Sequence, residues 1–261
     1  MATVEQLKEA RDWYVQVLDS LQEPDWDKPS MCAGWTAKNV VAHVATGDRY
    51  VRGLVLEATG GDRSVLKGMP TSIEERQVRA KEASTWPSEK LRDFARQEAQ
   101  EIVPVLMKAV KETPNTMIRM PFGEMPVAGS VRIRTLEYVI HGRDLQPATG
   151  KERAVPAWYI EYALPHAATM MTRAHMRSPH KGKSASFHLH RTDGEGEWTL
   201  RAENGEAVSE PGHDKSDVAF RGPAAGLYWV LMGRGGPEEH GVEVHGDPQL
   251  AGAFKEWFPG P

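Results

Sequence analysis

Apolar positions recur at helical spacing through most of the first half of the chain. Between residue 3 and about residue 22, Val4, Leu7, Trp13, Tyr14, Val17, Leu18 and Leu21 share one helical face, and residues 23–29, with Pro24 and Pro29, end it. Thr36 stands just before the next periodic run, with Val40, Val41, Ala42, Val44 and Ala45, as the N-cap of a second helix. Residues 60–72 are rich in Gly, Asp and Ser and read as a mobile connection. A third helix, roughly Pro87 to Lys111, buries Leu91, Phe94, Ala95, Ile102, Val105 and Leu106; Pro104 inside it predicts a kink or a break. Prolines at 114, 121 and 126 separate it from a fourth helix, with Met117–Met120 and Met125–Val127 as the arms of a short hairpin. The fourth helix ends near Asp144, with Pro147 and Gly150 beyond. Four long helices joined in this way predict a four-helix bundle.

Beyond Gly150 the pattern changes. Residues 155–177 predict a helix interrupted or kinked by Pro165, and residues 178–183 predict a loop. Alternation over 186–191, 196–202 and 217–222 predicts strands separated by Gly/Asp turns. A helix from Pro223 to Met232, a strand over 241–247 and a short helix from Pro248 to Trp257 complete a small α+β domain. The expected fold class is therefore mixed: a helical bundle over 1–150 followed by a linker helix and α+β domain over 151–261.

Composition narrows the setting. A net charge of −4 over 261 residues, with no cluster of Lys and Arg interleaved with aromatics, argues against nucleic acid or an anionic membrane as partner. Cys32 is the single cysteine, so no intramolecular disulfide forms, and a reducing cytoplasm is expected. The first residues enter an amphipathic helix without a basic then apolar leader, and no run reaches membrane-spanning length, so neither export signal nor anchor is expected.

The chemistry-bearing residues concentrate on two helices. Glu137 and His141 stand four apart on the fourth helix, one above the other on a single face. Such a pair usually faces water, but it also has the spacing to share a divalent ion. His43, on the second helix among Val40, Val44 and alanines, faces apolar neighbours; alone it reads as a buried imidazole with one hydrogen bond. Helical bundles build metal sites from inward side chains on facing helices. Two imidazoles, one carboxylate and an open fourth position match a catalytic zinc site and not a closed structural one. Asp144, three residues after His141, either orients that imidazole through its second nitrogen or is a surface acid at a helix end. Arg234 lies where a helix ends, where its charge suits the helix dipole, and it also offers a cation to an anionic substrate. His188 and His190 share one face of a strand, but no third ligand lies nearby in sequence, so polar residues on a wet face are the expectation. Cys32 precedes the second helix without an identifiable base and reads as a buried, inert thiol.

Gly34-Trp35-Thr36 with Val40-Val41-Ala42-His43, then Arg134, Glu137, His141 and Asp144 at their spacing, resemble the mycothiol-dependent maleylpyruvate isomerase family. That family lies within the wider group of bundle metalloproteins related to DinB. The segment from Asp217 to Pro223, Gly233-Arg234 and Val244-His245-Gly246-Asp247 resembles the family's C-terminal domain, which is similar to sterol-carrier folds. The resemblance implies zinc on His43, Glu137 and His141, with Arg234 facing the site, and an actinobacterial setting in which mycothiol is the low-molecular-weight thiol. It implies a metal-bound thiolate that attacks a small-molecule electrophile, as an S-transferase or a maleylpyruvate-type cis-trans isomerase. A hydrolase that activates water on the metal, and a non-catalytic ligand-binding protein with a structural metal, are the alternatives.

Overall fold

The computed structural model describes residues 3–62, 72–120 and 123–259. The chain forms two compact units, Met1–Pro156 and Ala157–Pro261. The connection expected over 60–72 lies largely outside the described residues.

The first unit is built on four long helices: α1 (Val4–Ser20), α2 (Ala37–Ala58), α4 (Ser88–Glu112) and α5 (Val127–Asp144), with a shorter α3 (Ile73–Ala83) between the second and third of these. Two starts are fixed by reciprocal caps. Thr3 Oγ1 accepts from the Gln6 amide while Gln6 Oε1 accepts from the Thr3 amide. Thr36 and Asn39 repeat the exchange at the start of α2. Helix α4 runs through Pro104 without ending. Ile102, Val103 and Leu106 are buried on either side of the proline, and their packing outweighs the roughly 3 kcal/mol that an interior proline costs. A hairpin of β1 (Met117–Met120) and β2 (Gly123–Pro126) joins α4 to α5, and a single turn, α6 (Gln146–Thr149), follows.

Helix α2 packs on α4 and α5, and α1 packs on α5 and α4. Helix α5 is buried round much of its circumference, including Ser130, Arg134, Thr135, His141 and Asp144, so polar groups inside the bundle must find partners there. Its Gly142 is the contact point for α1: an added Cβ would come 2.3 Å from the ring of Trp13. The Trp13 indole N–H then reaches the Ala154 carbonyl at 2.9 Å.

The second unit opens with α7 (Tyr159–Ala174), which also runs through its proline, Pro165. Its sheet has the order β5 (Glu206–Pro211), β4 (Glu197–Glu203), β3 (Ala185–Arg191), β6 (Val218–Gly222) and β7 (Glu243–Gly246). Neighbours are antiparallel except β3 and β6, which are parallel. Helix α8 (Ala224–Leu231) follows β6. The end of the chain forms two short helices, α9 (Pro248–Gly252) and α10 (Phe254–Trp257), where the sequence predicts one. Phe187 stacks edge-on against Phe254, Trp257 and Phe258, so this face of β3 belongs to the core. By the alternation of a strand, His188 and His190 lie on the other face.

Replacing Gly142 with alanine should force Trp13 off its seat. The expected loss is about 1–3 kcal/mol of stability, as for other overpacked sites, read from urea unfolding; an unchanged midpoint would show that α1 and α5 do not meet there.

Candidate metal centre

Three of the predicted residues converge inside the bundle. His43 stands two turns into α2, and Glu137 and His141 project from successive turns of α5. His43 Nε2 is 3.3 Å from Glu137 Oε2, and His141 Nε2 is 3.6 Å from the same oxygen. The two imidazole rings are 4.8 Å apart and meet edge to face. Ligands on a tetrahedral ion at bonds of 2.0–2.1 Å are about 3.3 Å from one another. The observed separations therefore fit one small divalent ion without rearrangement of the helices.

The site has a closed side and an open one. His141 is 4% exposed, whereas His43 and Glu137 keep 22% and 26% of their side chains exposed. Trp35 packs its ring 5.2 Å from that of His43 on the open side. An incoming ligand thus has access to His43 and Glu137 while His141 forms the floor.

Asp144 fixes the floor. Its Oδ2 accepts from His141 Nδ1 at 2.9 Å, and because a carboxylate only accepts, this leaves the Nε2 lone pair pointing into the site. The same oxygen accepts from the Cys32 thiol at 3.0 Å. The Met31 amide donates to the Asp144 carbonyl at 3.1 Å. The loop before α2 is thereby tied to the end of α5. Cys32 is half-buried against an acid that the sequence alone did not pair with it.

Electrostatics keep His43 and Glu137 in the states that a metal would need. Burial pushes the His43 imidazole down to about 4 against the pull of the Glu137 hydrogen bond, so it is neutral at pH 7. Burial alone would raise the Glu137 carboxyl, but the hydrogen bond from His43 and the nearby positive charge of Arg134 hold it well below the usual range. A neutral imidazole and an ionised carboxylate are the metal-binding forms.

Two arginines complete the surroundings. Arg134 NH1 is 3.6 Å from Glu137 Oε2, and its NH2 is 2.7 Å from Asp48 Oδ1 inside the bundle. Burial lifts Asp48 to about 6 against the attraction of Arg134. Arg76, on α3, brings NH2 to 3.3 Å from His43 Nε2. That nitrogen cannot donate to Glu137 and accept from Arg76 at once, so an ion on its lone pair would release the guanidinium. The sequence carries no signal for Arg76 because it carries none for α3: residues 73–83 are polar on nearly every face, and no apolar stripe marks the helix.

Arg234 lies in the second unit, just past α8, 3% exposed. Its guanidinium donates to the Met232 carbonyl at 2.6 Å, and its own carbonyl accepts from His240 Nε2 at 2.6 Å. Lys255 beside it is pushed down to about 8, by burial first and then by the charges of Arg234 and Arg177.

With this geometry in view, the comparisons with known proteins are specific. The family model of the mycothiol maleylpyruvate isomerase N-terminal domain matches residues 7–146, and that of the C-terminal domain matches residues 154–253. The chain belongs to the mycothiol maleylpyruvate isomerase family. Its fold is that of the solved mycothiol-dependent maleylpyruvate isomerase. A histidine-to-alanine variant of that enzyme matches with TM-score 0.69 and 20% identity over 94% of this chain and 95% of its own. A second structure of the enzyme gives 0.67 and 20% over 90% and 93%. No curated protein sequence matches the chain. The mixed fold class, helices first and a small mixed sheet after, is thus established. Among the described residues no helix is long and apolar enough to cross a membrane.

The buried Arg134–Asp48 pair makes a direct prediction. Asp48→Ala removes the nearer of the two carboxylates beside Arg134 and should cost about 3–5 kcal/mol, while Asp48→Leu with Arg134→Met should recover part of it, since the second change also takes a cation from Glu137. Chemical denaturation distinguishes the two; a double variant that loses at least as much as Asp48→Ala would show that the unpaired Arg134 charge is not what the single change exposes.

Proposed function

We propose that the chain is a divalent-metal enzyme that uses a low-molecular-weight thiol, mycothiol, against an anionic electrophile, as a maleylpyruvate-type isomerase or an S-transferase. The observation that carries this reading is the meeting of His43 Nε2, Glu137 Oε2 and His141 Nε2 beside solvent. The family membership supplies the thiol and the class of reaction, and the donor set fits zinc.

The ion, when bound, supplies the Lewis acidity that brings a thiol to its thiolate near neutral pH. The chain's own residues do the rest. Asp144 holds the His141 ring in one tautomer, and Glu137 contributes the single negative charge of the donor set. Arg134 is balanced by Asp48, so Arg76 and a dication leave the site net positive. That balance favours an anionic pair, a thiolate together with a carboxylate on the electrophile. Arg76, freed from His43, is placed to hold the carboxylate. Addition of the thiol sulfur across a cis double bond, with a proton to the adjacent carbon, leaves a single bond that rotates. Elimination of the same thiol and proton gives the trans product, and in a transferase the adduct departs instead. We assign Arg234 no step at this site. The chain's work is to position two reactants and neutralise their charge. Such an enzyme would act in the cytoplasm of an organism that makes mycothiol.

The test is turnover by the zinc-loaded protein with mycothiol and maleylpyruvate or related unsaturated acids, followed by mass spectrometry. Thiol-dependent isomerisation or adduct formation that disappears on chelation and returns with Zn²⁺ is the expected result. Hydrolysis without thiol would favour water as the nucleophile instead, and folded, zinc-loaded protein that never uses a thiol would refute the reading. His43→Ala should lose zinc on dialysis. Asp144→Ala should weaken zinc binding about 10–100-fold, as loss of a partner to a ligating imidazole does; undiminished affinity in both variants would remove the site.

A further inference from the structure

The second unit gathers four metal-ligating side chains of its own. His188 and His190 share the non-core face of β3. The antiparallel register sets Glu197 of β4 directly opposite His190. The Gly212 amide donates to the Glu197 carbonyl at 2.9 Å, which returns the chain to this point after β5 and delivers His213. The three imidazoles close on one carboxylate: His190 Nδ1 is 2.8 Å from Oε1, and His188 Nε2 and His213 Nδ1 are 3.1 and 2.9 Å from Oε2. The His188 and His213 rings are 4.6 Å apart. One donor atom from each of the four residues lies within 4.8 Å of all the others.

We infer that His188, His190, Glu197 and His213 form a second metal site, for a first-row divalent ion of the Zn²⁺ class. Three nitrogens and one oxygen suit zinc, nickel, iron or copper and not magnesium or calcium, which take oxygen. The nitrogen–oxygen contacts of 2.8–3.1 Å need to open by only a few tenths of an ångström to reach the ~3.3 Å edges of a zinc tetrahedron. Burial is graded as in a built site. His188 is 5% exposed at the floor, Glu197 and His190 are 27% and 31% exposed, and His213 is 72% exposed at the mouth, where an ion would enter. Thr199, the cross-strand neighbour of His188, is 2% exposed, and its hydroxyl has no partner among the described residues, a polar group left over beside the floor. Four protein donors fill a tetrahedron, so the ion here is structural. It clips the outer end of β4 and the loop after β5 to the central strand. The sequence offered His188 and His190 without a third ligand; strand register supplies the third and a returning loop the fourth.

Zinc retention after dialysis of tag-free protein, with far-UV circular dichroism as the fold control, decides the matter. Wild type should keep about two equivalents and His213→Ala about one. His43→Ala with His141→Ala, which removes the bundle site, should also keep about one, and adding His213→Ala or Glu197→Gln to that pair should take it to near zero. In the bundle-site double variant loaded with Co²⁺, tetrahedral ligand-field absorption should appear and vanish with His213→Ala. One equivalent in both wild type and the double variant would remove the bundle site and keep this one. No zinc in the folded double variant, or no further loss on adding His213→Ala and Glu197→Gln, would overturn the inference and leave a hydrogen-bonded cluster without an ion.

Discussion

A carboxylate held ionised inside a helical bundle is the constraint on which the first unit depends. Glu137 sits on a helix buried round most of its surface, where an unpaired charge would cost several kcal/mol or be lost to protonation. Its compensation comes from separate parts of the chain: His43 from α2, Arg134 and His141 from α5 itself. Each of those groups has its own requirement, met one step further out by Asp144 for His141 and Asp48 for Arg134. These partners all lie on α2 and α5, so the donor set assembles when those two helices pack together. Gly142 matters because it lets Trp13 and α1 close against the helix that carries most of the set.

The second unit applies a similar device to a sheet. One face of β3 is apolar and packs on the aromatic end of the chain, while the other turns imidazoles towards a single carboxylate. The difference lies in the number of protein donors. In the bundle, three donors with two exposed members leave room for a reactant. On the sheet, four donors leave a tetrahedral ion none. On the proposed reading, the same residue chemistry would serve reaction in one unit and cohesion in the other.

Much of this is legible in the residues themselves, for local reasons. Thr36 as a cap, the long amphipathic helices, the hairpin arm at Met117–Met120 and the four-residue spacing of Glu137 and His141 all depend on near neighbours. The prolines do not end their helices, because their cost is local, whereas the burial that outweighs it at Pro104 and Pro165 comes from packing along the whole helix. Helix α3 lacks an apolar stripe, so Arg76 goes unseen with it. Strand β5, Glu206–Pro211, is an exposed edge with glutamates and a terminal proline and carries no strand-like alternation. Glu197 and His213 join the two strand histidines only through pairing register and a loop return. The Cys32–Asp144 contact spans more than a hundred positions of chain. Information of that kind resides in tertiary geometry and not in spacing.

The direct question is whether zinc occupies the first unit between His43, Glu137 and His141. A crystal structure of zinc-loaded protein, with anomalous diffraction recorded on both sides of the zinc edge, locates the ion without reference to activity. The prediction is a zinc peak in the bundle about 2.0–2.2 Å from an imidazole nitrogen of His43, one of His141 and a carboxylate oxygen of Glu137. A bundle without a zinc peak at saturating metal, or a peak bound by other side chains while these three keep the hydrogen bonds described above, would contradict it.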